Sequence, residues 1–273
     1  MNIADAGSEA CIVAAPVIAA MDRDAGWPGI FSYGPVRVRS SIGSLQRRSF
    51  RLRGRVRRAI RSRIASQFLT PVQWALLSPV KRWRNRSKST RNLEIGPGAQ
   101  RIDGFETVSI VGGFEVDYVC DASRRLPFPD ETFDVVYASH VLEHIPWFQT
   151  ERTVREWARV LKRGGRLEIW VPDGELICET VLMHSRGTPN DAHLDGWRMM
   201  NPGSDPYLWA NGRLFYGVND DYPSWHKAIF TEASLSRLFA RNGLKDVRRP
   251  SEQEYRGGHN HGPINLGIFG TKP

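Results

Sequence analysis

The 273-residue sequence lacks several features that would place it in an easily defined class. Its three cysteines, Cys11, Cys120 and Cys178, are odd in number and widely spaced, so they predict neither a disulfide framework nor a metal-binding cysteine pair, and the expected compartment is a reducing cytoplasm. No apolar run reaches the roughly 20 residues that a membrane-spanning helix needs. The apolar stretch 11–21 is preceded by acids and by no Lys or Arg, so we expect no secretory signal there.

Acidic residues are missing from one long segment of the chain. Between Arg37 and Arg91 the sequence has 17 Lys and Arg residues and no Asp or Glu, whereas residues 92–273 carry a net charge of −5. The formal net charge of +9 therefore belongs to an N-terminal extension. Because a nucleic-acid-binding face needs its own basic stripe, this distribution argues against nucleic acid as the ligand of the main body.

The basic segment has the apolar periodicity of a helix. A large apolar side chain recurs at every fourth position, with arginines on the other faces; these side chains are Leu52, Val56, Ile60, Ile64 and Phe68. Such a helix could pack against the main domain, lie on an anionic membrane surface through residues 47–69, or bind nucleic acid. The sequence leaves these three alternatives open, and nucleic acid is the least favoured.

These patterns divide the chain into three regions. Residues 1–45 show little periodicity and are expected to be a disordered tail, and residues 46–90 form the basic helical extension. The segment 71–83 is expected to continue the helical extension up to the main domain. That domain spans residues 91–273, and within it residues 174–228 are an insertion between the fifth strand and the last helix.

From residue 91 onward, apolar strand-like runs alternate with helical periodicity. This alternation predicts an α/β fold with a doubly wound, mainly parallel sheet and helices on both faces. Two helices are expected, at 150–164, ending at Gly164, and at 231–244, with Thr231 as N-cap. Strands are predicted at residues 92–95, 105–110, 117–121, 133–139, 166–173, 245–249 and 264–272.

A tight turn containing Gly96 and Gly98 follows the first predicted strand. In a doubly wound sheet, ligands bind at the carboxyl ends of the strands, beside this first turn. The third glycine of a dinucleotide motif is lacking, because Arg101 stands in its place, and the Gly-Lys-Ser/Thr of a phosphate loop is also lacking. By themselves, the two glycines are equally consistent with an ordinary turn.

Three segments taken together are more specific: LEIGPGAQ, CDASRRLPFPDETFDVVYASHVLEHI and EWARVLKRGGRLEIWVPD. They resemble class I S-adenosylmethionine-dependent methyltransferases, and most of all the bacterial methyltransferase type 11-like group, which is often associated with cell-surface glycan assembly. The resemblance covers residues 91–273. It implies a Rossmann-like sheet of seven strands with the last strand antiparallel, S-adenosyl-L-methionine as the cofactor, and methyl transfer as the activity.

The resemblance also implies which residues hold the methionine end of the cofactor. Glu94, Gly96 and Gly98 match the first motif of the family, in which glycines allow the backbone to approach the cofactor. Glu94 would orient the loop or reach the methionine ammonium through water. Ser139 matches the end of the fourth strand, which lies beneath the methionine in this family.

At the other end of the cofactor, the resemblance assigns Asp121 to the adenine amino group, with Ala122 supplying a backbone N–H beside it. The alternative for Asp121 is a simple helix cap. Ser109 stands where the family usually has an acid that binds the ribose hydroxyls, and a neutral hydroxyl lacks the strength of a charge-assisted hydrogen bond. Gln100 replaces the third glycine of the motif.

A second group of polar residues follows the fourth strand. His140, Glu143 and His144 have the spacing that places side chains on one face at the start of a helix. Some ubiquinone-pathway O-methyltransferases bind a divalent ion through a related Glu-x-x-Glu-His run, but we assign no metal here. We expect His140 or His144 to act as the general base on an acceptor hydroxyl, with His226 in reserve. The alternative is that Glu143 and His144 only brace the loop.

The insertion at residues 174–228 is the expected lid or substrate wall. Its aromatic and amide side chains suit a sugar or an aromatic acceptor, and a small satellite core is an equally weighted alternative; the large side chains are Trp197, Met199, Met200, Tyr207, Trp209, Phe215, Tyr216 and Trp225. The Asn/Asp-Pro-Pro-Tyr motif of amino-group methyltransferases is absent, since Ala138–Val141 stand there. This absence favours an oxygen acceptor.

The sequence therefore predicts a cytoplasmic S-adenosylmethionine-dependent enzyme that methylates an oxygen of a small-molecule or of a glycan- or lipid-linked acceptor. Its basic extension predicts a peripheral location at the inner face of the membrane. Two other hypotheses stay open. One is a non-catalytic, membrane-associated scaffold with a cofactor-binding fold, and the other is an RNA methyltransferase that uses the arginine-rich arm.

Overall fold

A computed structural model gives the fold of the main domain and of the end of the helical extension. The residues it describes are 70–98, 101–189, 205–215, 224–258 and 261–273. The tail at residues 1–45, the apolar repeat at residues 52–68 and the side chain of Gln100 lie outside them. The predicted domain boundaries and the predictions for those residues therefore stay predictions.

The described residues form a seven-stranded sheet in the order β3-β2-β1-β4-β5-β7-β6. Strand β7 is antiparallel to β5 and β6, and the other neighbouring pairs are parallel. The strands are β1 (Asn92–Ile95), β2 (Phe105–Ser109), β3 (Tyr118–Val119), β4 (Phe133–Ser139), β5 (Leu161–Pro172), β6 (Lys245–Arg248) and β7 (Asn265–Thr271). The predicted α/β fold with an antiparallel last strand is confirmed, and its strand order reverses between β1 and β4, where such sheets bind ligands.

The described ranges also contain α1 (Ser78–Asn85), α2 (Thr150–Val160), α3 (Gly174–Ser185), α4 (Pro206–Phe215) and α5 (Glu232–Arg241). Helix α2 packs against β5, and helix α5 packs against β6 and β7. Both bury their apolar faces in a core that includes Leu93, Val136, Trp157, Leu235 and Phe239. Helix α5 begins as predicted, because Thr231 and Ser234 cap each other's backbone N–H groups.

Two local predictions are wrong. Helix α2 ends at Val160 instead of Gly164, because the buried Leu161 already pairs with Phe133 in the sheet. Residues 140–144 do not begin an α-helix: Leu142–His144 form a single 3₁₀ turn. The shared helical face expected for the polar side chains at 140, 143 and 144 therefore does not exist.

The end of the helical extension packs against β3 and the loop before it. Helix α1 follows a π-helical turn at Gln73–Leu77. Asn85 Nδ2 donates to the hydroxyl of Tyr118 at 2.9 Å, and Lys81 forms an ion pair with Asp117 at 2.8 Å. These contacts confirm that the helical pattern continues up to the main domain. No helix within the described ranges has both the length and the apolar character needed to cross a membrane.

The described part of the insertion has a small core of its own. Trp209 of α4 is fully buried, with 0% of its surface exposed, and it packs with Ile177 of α3 and with Ile264. For Trp209, this favours the satellite-core alternative over the substrate wall. Tyr207, Phe215 and Trp225 are exposed, whereas Trp197, Met199, Met200 and Tyr216 lie outside the described residues.

Candidate functional site

The turn after β1 requires glycine for two separate reasons. Gly96 has φ +73° and Gly98 has φ +61°, a left-handed conformation that side chains with a Cβ rarely adopt. A Cβ on Gly96 would lie 2.5 Å from Cγ2 of Val141, which is closer than real atoms approach. The turn after β1 is therefore in direct contact with the segment that follows β4, and the two form one surface at the carboxyl edge of the sheet.

Glu94 braces this turn from beneath. Its side chain is buried, and Oε2 accepts a hydrogen bond from the backbone N–H of Ile102 at 2.8 Å. Burial raises the pKa of Glu94, and the hydrogen bond from Ile102 offsets only part of that rise. Of the two roles expected for Glu94, orienting the loop is the one that has a contact in the structure.

The ends of β2 and β3 carry the side chains predicted for the ribose and the adenine. Ser109 Oγ accepts from the N–H of Val111 at 3.2 Å, which leaves its own O–H as a donor. Asp121 Oδ1 accepts from the backbone N–H of Ser123 at 2.9 Å and from its hydroxyl at 2.7 Å. Asp121 thus caps a turn at 121–124 and not a helix, so the helix-cap alternative is not confirmed, and its role toward the adenine stays a prediction.

Asp121 nevertheless borders open space. It lies at the edge of a cleft of about 610 Å³, whose other walls come from the following turn and from the start of α2; they include Arg124, Gln149 and Arg152. The backbone carbonyl of Ala122 accepts from the indole N–H of Trp157 at 2.9 Å, which holds the turn against α2. The turn after β3 is therefore held against α2, and Asp121, which also pairs with Arg124 at 3.2 Å, lines the edge of the cleft.

A segment that we did not predict lies over the end of β4. Ser139 Oγ is 3.3 Å from the hydroxyl of Tyr255, and the hydroxyl of Tyr137 donates to the carbonyl of Gly257 at 2.6 Å. Burial raises the pKa of Tyr255, so its hydroxyl stays protonated at neutral pH. Tyr255 is a site residue that the sequence analysis missed, because 116 positions separate it from Ser139.

His140 is held in an unusual backbone conformation. Its φ is +54°, which is uncommon for a residue with a Cβ and is often found where function dictates the geometry. Nδ1 lies 3.1 Å from Oε1 of Glu143, and Nε2 lies 3.0 Å from Oδ1 of Asn265. The ring also stacks on that of His261, with centroids 4.0 Å apart. Both ring nitrogens of His140 therefore already face oxygen atoms of the protein.

Glu143 lies at the centre of this polar cluster. Its side chain is 1% exposed, and Oε2 has no hydrogen-bond partner among the described residues. Burial alone would raise the pKa of Glu143, but the hydrogen bond and the charge of His140 outweigh it and lower the pKa. A buried carboxylate with one unsatisfied oxygen is a feature that requires an explanation.

His144 and His226 are brought next to Glu143 from different parts of the chain. The two rings meet edge to face with centroids 4.8 Å apart. Nδ1 of His226 lies 3.0 Å from the carbonyl oxygen of Arg213, and burial lowers the pKa of His226 to about 4. Nδ1 of His144 lies 3.3 Å from the carbonyl oxygen of Trp225. The three histidines predicted as catalytic thus converge on one carboxylate, although their catalytic role stays a prediction.

Three further residues of the cluster were missed from sequence: Arg213, His261 and Asn265. Nη1 of Arg213 donates to Nδ1 of His261 at 3.0 Å, and the backbone N–H of His261 donates to Oδ1 of Asn265 at 3.0 Å. The histidine- and glycine-rich run at residues 256–262, just before β7, was a visible signal for His261. The sequence contains no comparable signal for Arg213 or Asn265.

Comparison with solved structures finds methyltransferases at low sequence identity. One is a possible histamine N-methyltransferase from Thermotoga maritima, with 19% identity, a TM-score of 0.39, and coverage of 78% of this chain and 97% of that chain. Another is the 1,6-didemethyltoxoflavin-N1-methyltransferase of Burkholderia thailandensis, with 16% identity, a TM-score of 0.40, and coverage of 86% and 93%. That structure contains bound 1,6-didemethyltoxoflavin and S-adenosylhomocysteine.

Curated proteins match over shorter stretches. Methyltransferase GfsG of Streptomyces halstedii is 28% identical over 99 residues, which are 36% of this chain and 32% of that protein. The ubiquinone/menaquinone biosynthesis C-methyltransferase UbiE of Cronobacter sakazakii is 41% identical over 63 residues, 23% of this chain and 24% of that protein. The chain thus spans a third or less of the length of these relatives.

The comparison with protein families identifies the domain. Residues 91–169 match the methyltransferase domain family, and this stretch contains the turn after β1, the end of β4 and helix α2. The chain carries a class I S-adenosylmethionine-dependent methyltransferase domain. The resemblance drawn from the three sequence segments is thereby confirmed, and so is S-adenosylmethionine as the cofactor of the domain.

The carboxyl edge of the methyltransferase domain fits this cofactor at three points. The left-handed turn at Gly96 and Gly98 presents backbone without Cβ atoms, Ser109 keeps a hydroxyl donor at the end of β2, and Asp121 stands at the end of β3; the cleft that Asp121 lines is bordered by α2 and not by the glycine turn. The acid that the family usually places at the end of β2 is missing, so the ribose position is the weakest part of the fit.

Proposed function

We propose that the methyltransferase domain transfers a methyl group to a hydroxyl oxygen of a small-molecule or of a glycan- or lipid-linked acceptor. When it is bound, S-adenosylmethionine supplies an electrophilic methyl group on a sulfonium. The observation that carries the proposal is the contact between Gly96 and Val141, since it joins the cofactor turn to the His140–His144 segment. The acceptor and its oxygen atom are proposals, because the curated relatives are matched over only a third or less of their length.

The residues of the cofactor side act by binding and positioning. Gly96 and Gly98 would admit the amino-acid end of the cofactor, Ser109 would donate to a ribose oxygen, and Asp121 with Ala122 would meet the adenine edge. Glu94 and Trp157 hold these turns rigid from behind. Rigid turns fix the distance between the transferred group and the acceptor, and such positioning is the main source of catalysis in an in-line displacement.

The residues of the acceptor side would remove the proton from the acceptor hydroxyl. Nδ1 of His144 and Nδ1 of His226 lie beside backbone carbonyls and donate to them when the rings are neutral, so in each ring Nε2 carries the lone pair. Nε2 of His144 is the group we assign as general base for the acceptor hydroxyl, because a pKa near 4 makes His226 a weak base at neutral pH. His140 acts as a positioning residue, since its two nitrogens hold Glu143 and Asn265.

Cofactor binding and methyl transfer are tested separately. Calorimetry with S-adenosylhomocysteine should detect binding to the purified chain, and radiolabelled methyl transfer into fractionated cell extract should identify an acceptor. Product analysis then distinguishes an O-methyl ether from a carbon-methylated product, which the name of the UbiE relative makes the main competitor. Absence of binding at millimolar concentration would contradict the enzyme and favour the scaffold hypothesis.

We also propose that the protein binds anionic membranes through an exposed apolar surface, here called the tryptophan face. It consists of the side of residues 72–83 that points away from β3, together with the loop after β2. The backbone N–H of Gly112 in this loop donates a hydrogen bond to the hydroxyl of Thr70 at 2.8 Å, which ties the loop to the start of the helical segment. Phe114 is 88% exposed and Trp83 is 65% exposed. The other members are Val72, Trp74, Leu76, Leu77, Val80, Ile110 and Val111.

The positive charge beside the tryptophan face favours an anionic lipid surface as its ligand. Arg84, Arg86 and Lys88 are exposed beside it, and the segment from Arg37 to Arg91 carries 17 basic residues and no acid. Tryptophan and basic side chains together are typical of helices that lie at the membrane interface. An enzyme held there would meet lipid-linked acceptors at high local concentration.

Vesicle co-sedimentation tests this surface. The full chain should bind vesicles containing phosphatidylserine much more strongly than phosphatidylcholine vesicles, and the double variant Trp74→Ser/Trp83→Ser should lose most of that binding. Trp147→Ser is the control, because Trp147 is more exposed than Trp74 and Trp83 but lies on another part of the domain. Equal binding by both variants, or a salt-dependent shift of RNA without vesicle binding, would overturn the membrane proposal.

A further inference from the structure

The cluster around Glu143 has the composition of a metal site. The ligand atoms of Glu143, His144 and His226 all lie within 4.8 Å of one another. A tetrahedral zinc ion with bonds of about 2.0–2.2 Å holds its ligand atoms roughly 3.3–3.5 Å apart. The three ligand atoms are therefore close to this spacing, and rotations of the side chains would bring them onto one ion.

The orientation of the two histidines also matches that of metal ligands. A histidine that binds a metal through one nitrogen usually donates the N–H of the other to a carboxylate or a backbone carbonyl. Here Nδ1 of His144 lies 3.3 Å from the carbonyl of Trp225, and Nδ1 of His226 lies 3.0 Å from that of Arg213. Both contacts place the second lone pair on Nε2, the nitrogen at the far side of each ring.

Glu143 supplies an independent indication of a ligand. Its buried carboxylate is held by His140 through Oε1 at 3.1 Å, while Oε2 has no hydrogen-bond partner among the described residues. An oxygen in this situation normally costs free energy, because it has lost its hydration and gained no partner. A cation at Oε2 would remove that penalty.

We propose that Glu143, His144 and His226 bind one divalent transition-metal ion, for which Zn²⁺ is the best chemical match. Two imidazoles and one carboxylate form the ligand set of catalytic zinc sites, in which a fourth position is open to water or substrate. His140 does not ligate this ion, because both of its nitrogens are already engaged; it orients the carboxylate instead. The spacing in the sequence groups His140 with Glu143 and His144 and predicts no metal, whereas the fold brings His226 to the carboxylate.

The metal would have a defined chemical role if methyl transfer occurs as proposed. An acceptor hydroxyl in the fourth position would lose its proton to solvent more easily, because a bound Zn²⁺ lowers the pKa of an oxygen ligand. With the ion bound, Nε2 of His144 would be a ligand, and the ion would replace it as the group that activates the hydroxyl. This role rests on the proposed function, whereas the metal site itself does not. His144 and His226 are only partly buried, so the site can be reached from solvent.

Metal titration of the full chain tests the proposal directly. After treatment with chelator and its removal, calorimetry with ZnCl₂ should show one tight site per chain. Glu143→Gln, His144→Ala and His226→Ala should each weaken Zn²⁺ binding by more than about 100-fold, which exceeds the usual loss for a residue that only orients a ligand. His140→Asn should fall within the range for orienting residues, about 10–100-fold.

A control variant and two further measurements distinguish the loss of a metal ligand from unfolding and from the loss of cofactor binding. His184→Ala removes a histidine of α3 that lies outside the cluster, and it should leave Zn²⁺ affinity unchanged. Circular dichroism checks that each variant is folded, and Glu143→Gln keeps the size of the side chain and an oxygen for His140. S-adenosylhomocysteine affinity, measured on the same samples, reports the proposed function separately.

Two results would overturn the metal site. One is the absence of a Zn²⁺ titration curve in a folded chain that binds S-adenosylhomocysteine, which would leave the proposed function intact. The other is equal Zn²⁺ affinity in the wild type and in all three ligand variants. Tight binding that depends on the three ligands, in a chain that transfers no methyl group, would instead support the metal site and contradict the proposed function.

Discussion

The two halves of the carboxyl edge are built in different ways. In the cofactor half, which comprises the turns after β1, β2 and β3, polar side chains bond to backbone close to them in the chain: Glu94 to Ile102, Ser109 to Val111, and Asp121 to Ser123. In the acceptor half, at the end of β4, the local pair of His140 and Glu143 is joined by partners distant in sequence, since His140 also bonds to Asn265 and Ser139 meets Tyr255. A local turn can be encoded in a short motif, whereas the acceptor half requires the complete fold.

The largest expected effect concerns the acceptor half. His144→Ala should lower turnover by about 10²–10⁴-fold, because it removes either a general base or a metal ligand beside the acceptor. The affinity for S-adenosylhomocysteine should stay within about twofold of wild type, since His144 is not part of the cofactor turns. Steady-state kinetics with the identified acceptor measure the first quantity and calorimetry the second. Full activity in this variant and in His226→Ala would leave positioning alone as the mechanism.

The second largest effect is expected at the contact between the cofactor half and the acceptor half, where Gly96 meets Val141. Gly96→Ala should lower the free energy of unfolding by about 2–5 kcal/mol, from left-handed strain plus a clash with Val141. Gly104→Ala is the matched control: Gly104 has φ +79°, and no heavy atom of the described residues lies within 4 Å of the added Cβ, so only strain of about 1–2 kcal/mol applies. Denaturant unfolding measures both. Equal losses would show that Val141 moves away freely and that the two halves are not coupled there.

A third prediction concerns pH and the anchor of α1 beside the cofactor half. Burial alone would raise the pKa of Asp117, but hydrogen bonds and charge from Lys81 and Arg101, each 2.8 Å away, hold it below its usual value. Its contribution to stability is therefore fully present above the unfolded pKa of about 3.9 and is lost as pH falls through the lower folded value.

Asp117→Asn tests this anchor. The substitution should lower the free energy of unfolding by about 1–3 kcal/mol near pH 7, because two charge-assisted hydrogen bonds are lost. The difference from wild type should stay constant down to about pH 5 and shrink below about pH 4, because the carboxylate of the unfolded chain takes up a proton at a higher pH than the native one. Unfolding curves at several pH values provide the measurement, and a difference that persists at pH 2 would contradict an ionic contribution.

The smallest expected effect concerns the ribose position. Ser109→Asp should tighten S-adenosylhomocysteine binding by about 3–10-fold, because a carboxylate forms stronger hydrogen bonds with hydroxyls than a neutral oxygen does. Ser109→Ala should weaken it by a similar factor. Calorimetry on the two variants gives the comparison. Unchanged affinity in both would show that the ribose does not lie at the end of β2.

Periodicity and local motifs were enough to predict most of the fold. The positions of β1, β4 and β7, the cap at Thr231 and the glycine turn follow from patterns of a few residues, and the structure contains all of them. The errors occurred where a tertiary contact overrides a local pattern. Leu161 leaves the helical pattern because the sheet pairs it with Phe133, and His140 leaves it because its ring is fixed between Glu143 and Asn265.

The sequence by itself determined the sheet elements, the methyltransferase motifs and the separation of a basic extension from a mildly acidic domain, because each of these depends on neighbouring residues. Only the tertiary structure decided that His226 joins Glu143 and His144, that Tyr255 lies over Ser139, and that Trp209 is core. The physical reason is that a periodic pattern predicts which face of a helix or strand is buried, but it does not predict which other element packs against that face. Side chains brought together across more than 80 positions meet only after the strands have aligned and the loops have closed.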